Sequence, residues 1–241
     1  HPGLGALLGA EGIGCAGCGL GTCRTLDILE IHNLDTARIR ALLEGMGRII
    51  HGGAPFEVPD IQRKAVPEND GFCPPIQAMV QEHGHILRVI ACLPALGRIL
   101  DRDPDGYAWA EGVLDFVRNY ADRFHHAKEE EVLFRFFDGG SEIIQAMLAD
   151  HGEGRGHVAA AAEGIARRDG QAVREALGAY GDLLRGHIHR EDTVLYPWMD
   201  RTLTMRQVGE LFAGCAAAER PFGQIPAEQE AFVERLEARL A

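Results

Sequence analysis

The chain has 241 residues, 46% of them hydrophobic, and a formal net charge of −12. Proteins bind nucleic acid and anionic membranes through basic patches. Neither is therefore expected as a partner of this acidic chain. No run of about 18 apolar residues occurs, so no membrane-spanning helix is predicted. Abundant Ala, Leu, Glu and Arg with few aromatic residues favour an all-α fold.

The predicted elements are helices throughout. A Gly-rich segment with clustered cysteines comes first, and two short helical patterns follow at about 25–32 and 35–50. Prolines and turn residues at 51–73 indicate a linker. Four long patterns and two short ones complete the chain, near 75–100, 107–137, 141–168, 171–199, 204–217 and 226–240. Pro94 is expected to kink the first long helix or end it early.

Short polar breaks between the four long patterns predict an antiparallel four-helix bundle. The domain organisation expected from this pattern has three parts. They are a small N-terminal Cys-containing helical domain at 1–50, the linker at 51–73, and the bundle with short C-terminal helices at 74–241.

The bundle contains an internal repeat. "AMVQEHG" at 78–84 matches "AMLADHG" at 146–152, and "HHAKEEEVLF" at 125–134 matches "HIHREDTVLY" at 187–196. The repeat pairs His83 with His151, His125 with His187 and Glu129 with Glu191. It therefore singles out six residues: His83, His125, Glu129, His151, His187 and Glu191.

These six residues lie within the apolar stripes of their helices, where His and Glu four residues apart share one face. Four imidazoles and two carboxylates are therefore predicted to face the bundle axis. Ionised carboxylates are costly to bury unless they are paired or bind a metal. The pattern predicts a dinuclear site in which both Glu bridge, with iron or manganese favoured over zinc.

Other polar residues near these six are given simpler interpretations. His126 lies about 100° from His125 on an ordinary helix, so it is predicted outside the ligand set. The acids beside the ligands are interpreted as solvated rather than as groups that orient the ligands: Glu82, Glu130, Asp150 and Asp192.

The motifs "EHGHI", "FHHAKEEEVLF", "DHGEGRGHV" and "HIHREDTVLYP" resemble those of the hemerythrin HHE cation-binding domain. The resemblance covers about 74–200 and implies a four-helix bundle that holds two non-haem irons. The ligands it implies are the same six residues. Oxygen-carrying hemerythrins have a further His four residues after the third-helix ligand, where this chain has Arg155. A four-His, two-Glu set is similar to the iron–sulfur cluster repair branch, which is linked to nitric oxide and oxidative stress.

Three cysteines crowd into "CAGCGLGTC" near the start of the chain. The segment "GIGCAGC" with the following "TLDILEIHNLD" resembles a small helical domain with a CxxC motif. Cys15 and Cys18 could form a redox dithiol, or Cys15, Cys18 and Cys23 with Cys73 could hold an iron–sulfur cluster. Reduced structural thiols are the remaining interpretation. Six cysteines in a helical chain of this size do not indicate disulfides, so the cytoplasm is the expected location.

The functional expectation is a protein that binds or reduces nitric oxide or peroxide, or donates iron for iron–sulfur cluster repair. The cysteine segment would pass electrons or dock a protein partner. The alternatives are reversible oxygen binding for storage or sensing, and an iron store or regulatory domain that the metal holds folded. No nucleophilic triad, P-loop or dinucleotide fingerprint occurs, so other enzyme classes have little support.

Overall fold

The structure, a computed structural model, describes residues 2–13, 25–54, 56–62 and 71–241. Every regular element among them is helical, as predicted. The α-helices are α1 Pro2–Ala10, α2 Thr25–Ile31, α3 Thr36–Ile50, α4 Pro74–Ile99, α5 Gly106–Phe116, α6 Glu142–Ala166, α7 Gly170–Arg190, α8 Tyr196–Thr202, α9 Met205–Glu219 and α10 Ile225–Leu240. No helix of the described residues is long and apolar enough to cross a membrane.

Two compact units make up the chain. One contains His1–Gly71 and Arg190–Thr202, and the other contains Phe72–His189 and Leu203–Ala241. The smaller unit has its own apolar core, in which Leu34, Ile39 and Leu42 are almost fully buried. Asp35 caps the N-terminus of its helix α3, since the Asp35 carboxylate accepts the backbone N–H of Arg38. Helix α1 was not predicted, because the glycines of its sequence lower helix propensity.

The larger unit contains the helical bundle. Its first long helix, α4, begins with two prolines, which suit the first helical turn because their missing N–H groups would have no partner there. Pro94 does not end α4, which continues to Ile99. The apolar residues on either side of this proline, Leu93 and Leu96, are both buried in the core, and this packing offsets the lost backbone hydrogen bond.

The C-terminal helices α9 and α10 belong to the larger unit. Thr204 caps α9, since its side chain accepts the backbone N–H of Gln207. On α10, Glu237 accepts two hydrogen bonds from Arg88 of α4, at 2.6 and 2.9 Å. Cys92 of α4 and Cys215 of α9 are buried, at 9% and 7% exposure.

Candidate metal centre

Two groups of buried side chains converge in the bundle with the spacing of metal ligands. The first consists of His126, Glu129, His151 and His187, and the second includes His83, His125 and Glu129. Within each group, one ligand atom per residue lies within 4.8 Å of the others. Glu129 is common to both groups, so its carboxylate stands where it can bridge two ions.

Unusual helical turns position these residues. After α5, the chain forms wider π-type turns at Val117–His126 and Glu129–Leu133, in which an N–H bonds to the carbonyl five residues earlier. Phe134 bonds in this way to Glu129, and Tyr196 bonds in the same way to Glu191. Both carboxylates singled out by the repeat therefore open a π turn, a rare feature that is frequent at functional sites.

His126 is the residue that the sequence analysis placed wrongly. It is 5% exposed, and its ring stacks on that of His151 with centroids 3.9 Å apart. A wider turn rotates the chain less per residue, so consecutive His125 and His126 both point inward. The 100° step assumed for an α-helix does not apply here. The sequence signal for an inward-facing His126 was the His–His doublet, in a chain that has Arg155 where oxygen-carrying hemerythrins have a further histidine.

Carboxylates hold the outer nitrogen of three of these imidazoles. Glu82 contacts Nδ1 of His125 at 2.7 Å, and Asp150 contacts Nδ1 of His187 at 3.0 Å. The repeat explains the pattern, because in each copy the acid that precedes the first His holds the second His. The interpretation of Glu82 and Asp150 as solvated acids was therefore wrong.

The third anchored imidazole is that of His151, whose Nδ1 lies 2.7 Å from Glu130. This hydrogen bond, together with Arg155, lowers the pKa of the Glu130 carboxyl to about 2. Glu130 is thus also a positioning group rather than a solvated acid. A carboxylate on Nδ1 fixes the ring proton there and leaves Nε2 available to a metal.

The Nε2 atoms point towards one another across a short gap. Nε2 of His151 lies 3.0 Å from Nε2 of His187 and 3.4 Å from a carboxylate oxygen of Glu129. Nε2 of His125 lies 3.8 Å from the same Glu129 oxygen. Lone pairs directed at one small buried volume repel each other unless a cation lies among them. The donor set therefore fits a metal ion, and imidazole with carboxylate suits iron or manganese.

Lys128 is a further residue of the site that the sequence analysis missed. Its ammonium is 1% exposed, donates to Glu82 and to Glu219 of α9, the latter at 2.8 Å, and lies 3.9 Å above the Phe124 ring. Burial raises the pKa of the Glu82 carboxyl, and the charge of Lys128 opposes that shift. Helix α9 is thereby connected through buried charges to the carboxylate that holds His125.

The sequence analysis also singled out Arg155, Glu191 and the N-terminal cysteines. Arg155, at the position of the usual fifth histidine, donates to Asp122 at 2.8 Å and to Glu130 at 2.7 Å. Glu191 is fully buried, and its role as a ligand stays a prediction. Cys15, Cys18 and Cys23 lie outside the described residues, so the dithiol and cluster hypotheses stay predictions as well.

Comparison with known proteins agrees with this geometry. A family model described as the hemerythrin HHE cation-binding domain matches residues 74–199. Searches of curated proteins and of solved structures gave no match. The match spans more than half of the chain and includes every residue of the two ligand groups. The chain therefore belongs to the hemerythrin HHE cation-binding domain family.

Proposed function

We propose that the bundle holds two non-haem irons and binds or reduces a small oxidant, namely nitric oxide or peroxide. The single observation that carries this proposal is the anchoring of His125, His151 and His187. Each has a carboxylate on Nδ1 and turns Nε2 towards the shared gap. Buried imidazoles held in this way are ready to bind a metal without rearrangement.

The two groups suggest how the ligands divide between the ions. His126, His151 and His187 would hold one iron, His83 and His125 the other, and Glu129 would bridge them. Glu191 would be the second bridge, because the repeat places it one helical turn after His187. When bound, the iron pair would supply electrons and open coordination positions to a small ligand.

The protein's own residues would keep the centre in place during that chemistry. Glu82, Glu130 and Asp150 hold the ring protons on Nδ1, so the imidazoles keep one tautomer and one orientation. Lys128 balances the charge of Glu82. The apolar core of the bundle keeps bulk water away from the ligands. In this scheme the CxxC segment would pass electrons or dock a partner, and iron donation for cluster repair is a further role of the same centre.

His126 favours a second candidate function, reversible binding of oxygen for storage or sensing. The replacement of the usual fifth histidine by Arg155 counts against that function on sequence grounds. The structure offers the imidazole of His126 in the same ligand group as His151 and His187. A five-His donor set would then be available, with the fifth histidine at a different position in the chain.

The test is a Mössbauer spectrum of iron-57-enriched protein purified without oxygen, together with its iron content. A coupled high-spin pair with nitrogen and oxygen ligands supports the proposal, and its absence refutes it. A His151→Ala variant is expected to lose the coupled pair. The matched control is His189→Ala, which removes an exposed imidazole from the same bundle. A sulfur-ligated component would show that the cysteine segment also holds iron.

Mixing the reduced protein with nitric oxide, peroxide or oxygen distinguishes the two candidate functions. Rapid turnover of nitric oxide or peroxide supports the first function. A stable oxygen adduct with slow release supports the second.

A further inference from the structure

A groove with a volume of about 630 Å³ lies in the larger unit. It is lined by residues from the C-terminal part of α4, from the turn that follows α4, and from α7. No residue of the two ligand groups lines it. Its volume falls within the roughly 300–1,000 Å³ of pockets that hold small organic molecules. The groove therefore has the size of a small-molecule site separate from the metal centre.

The floor of the groove is apolar, and a glycine keeps it open. Leu93 and Leu177 line the groove and are only 6% and 3% exposed. Gly178 also lines it, and a Cβ on this residue would meet no atom within 4 Å. The space above Gly178 is therefore free of the protein's own atoms. Leu93 and Leu177 offer an apolar surface on which the carbon skeleton of a ligand can lie.

Arginines give the groove a positive charge, although the chain as a whole carries −12. Arg174 of the groove donates to Asp101 at 2.9 Å. Arg185 donates to Asp182 at 2.7 Å, so both aspartates that line the groove are already neutralised. Two more arginines line the groove besides these pairs, and they leave it with a charge of the sign opposite to that of the whole chain.

These two arginines are Arg98 and Arg102, both of which are exposed. Neither side chain has an ion pair or a hydrogen bond among the described residues. The two residues are four positions apart at the end of α4, a separation that brings side chains to one face of a helical turn. Guanidinium groups bind phosphate oxygens through paired hydrogen bonds. Two unpaired guanidinium groups beside an apolar floor therefore suit an organic phosphate.

We propose that this groove binds a small soluble phosphate monoester, with the phosphate held by Arg98 and Arg102 and the carbon skeleton lying on Leu93 and Leu177. The net charge of the chain opposes its approach to an anionic membrane, so the ligand is a soluble molecule rather than a lipid headgroup. The site goes beyond the proposed di-iron function and does not depend on it, because no metal ligand contributes to the groove.

The probe is phenyl phosphate, titrated into the protein as purified and followed by isothermal titration calorimetry. Physiological ionic strength is used, because it screens charges more than about 8 Å apart. We expect one saturable site per chain. Arg98→Gln combined with Arg102→Gln should weaken binding about tenfold or more, since charge-assisted hydrogen bonds are lost. The matched control, Arg118→Gln with Arg206→Gln, changes the net charge equally outside the groove and should have a far smaller effect.

Gly178→Leu tests the same site by filling the groove, and it should abolish binding. The matched control is Gly156→Leu, which adds the same side chain at an exposed glycine of α6 whose Cβ would also meet nothing within 4 Å. It should leave binding unchanged. Both variants should fold, because leucine favours a helix more than glycine does. All of these variants should keep the metal content of the parent protein, since none alters a residue of the ligand groups.

Three results would overturn the proposal. They are the absence of saturable binding, binding that neither the groove arginines nor Gly178→Leu affects, and an equal loss in the Arg118 and Arg206 control. Benzoate that binds as tightly as phenyl phosphate would also overturn it, because a carboxylate would then suffice. Groove-dependent binding in a protein without a coupled iron pair would support this site and refute the proposed function. Normal iron with no phenyl phosphate binding would do the reverse.

Discussion

Replacing Lys128 by Met removes the buried ammonium that donates a hydrogen bond to Glu82. The ammonium bridges Glu82 and Glu219 and lies against the Phe124 ring. Methionine fills a similar volume, so the main change is electrostatic. The Glu82 carboxylate, 8% exposed, would be left without its cation.

Breaking a buried ion pair by removing one partner costs about 3–5 kcal/mol, because a charge stays buried without compensation. We expect the lower part of this range, since Glu219 is 40% exposed and keeps water near one end of the network. The assay is urea unfolding of the metal-free protein, so that loss of metal does not contribute. A second effect should be weaker metal binding, because Glu82 would no longer hold His125 in one orientation.

Two comparisons isolate the electrostatic origin of this loss. The double variant Lys128→Met with Glu82→Gln should recover much of the stability, because replacing both partners of a buried pair is often neutral. Arg206→Met breaks an ion pair whose arginine is 88% exposed, and should cost less than about 1 kcal/mol. A loss for Lys128→Met no larger than that of the Arg206 variant would refute the reasoning.

Three further predictions concern other parts of the chain. His126→Ala should lower the iron content and alter the Mössbauer signal, whereas the exposed His189→Ala should change neither. Burial raises the pKa of the Cys215 thiol to about 11, so its alkylation by iodoacetamide should stay slow at pH 8. The stabilisation linked to the protonated thiol should be lost only as the pH rises from about 9 to about 11. Gly106→Ala places a Cβ 2.8 Å from a backbone oxygen and should destabilise by about 1–3 kcal/mol, whereas Gly84→Ala meets nothing within 4 Å and should gain up to about 1 kcal/mol in urea unfolding.

The sequence predicted the structure correctly where the chain keeps the 3.6-residue period of the α-helix. The helices of the bundle begin and end near their predicted residues, because turn chemistry and apolar stripes are local signals. The repeat singled out His83, His125, Glu129, His151 and His187, and the structure brings all five into the two groups of buried side chains that have metal-ligand spacing. These residues share inward faces, and the periodicity of an α-helix suffices to identify such faces.

Prediction from the sequence failed for residues in π-type turns, which depart from the α-helical period. It also failed for residues whose ion-pair partners come from distant helices. His126 faces inward because of π-type turns, which no local pattern announces. Lys128 is charged and directly precedes three glutamates, so composition alone indicates a solvated residue. Its burial depends on Glu219, which is 91 residues further along the chain. Long-range pairing of this kind has no signature in a single sequence.

Glu82 and Asp150 hold His125 and His187 on the next helix of their own hairpins, and this has a consequence for how the metal centre assembles. In each copy of the repeat, the acid on the first helix holds the imidazole on the second, so each helical hairpin orients that imidazole by itself. The ligand group of His126, Glu129, His151 and His187, in contrast, draws on both hairpins. A metal ion there would link the two hairpins, whose imidazoles are already oriented before it binds. We therefore expect removal of the metal to loosen the hairpins from each other while each hairpin keeps its own internal hydrogen bond.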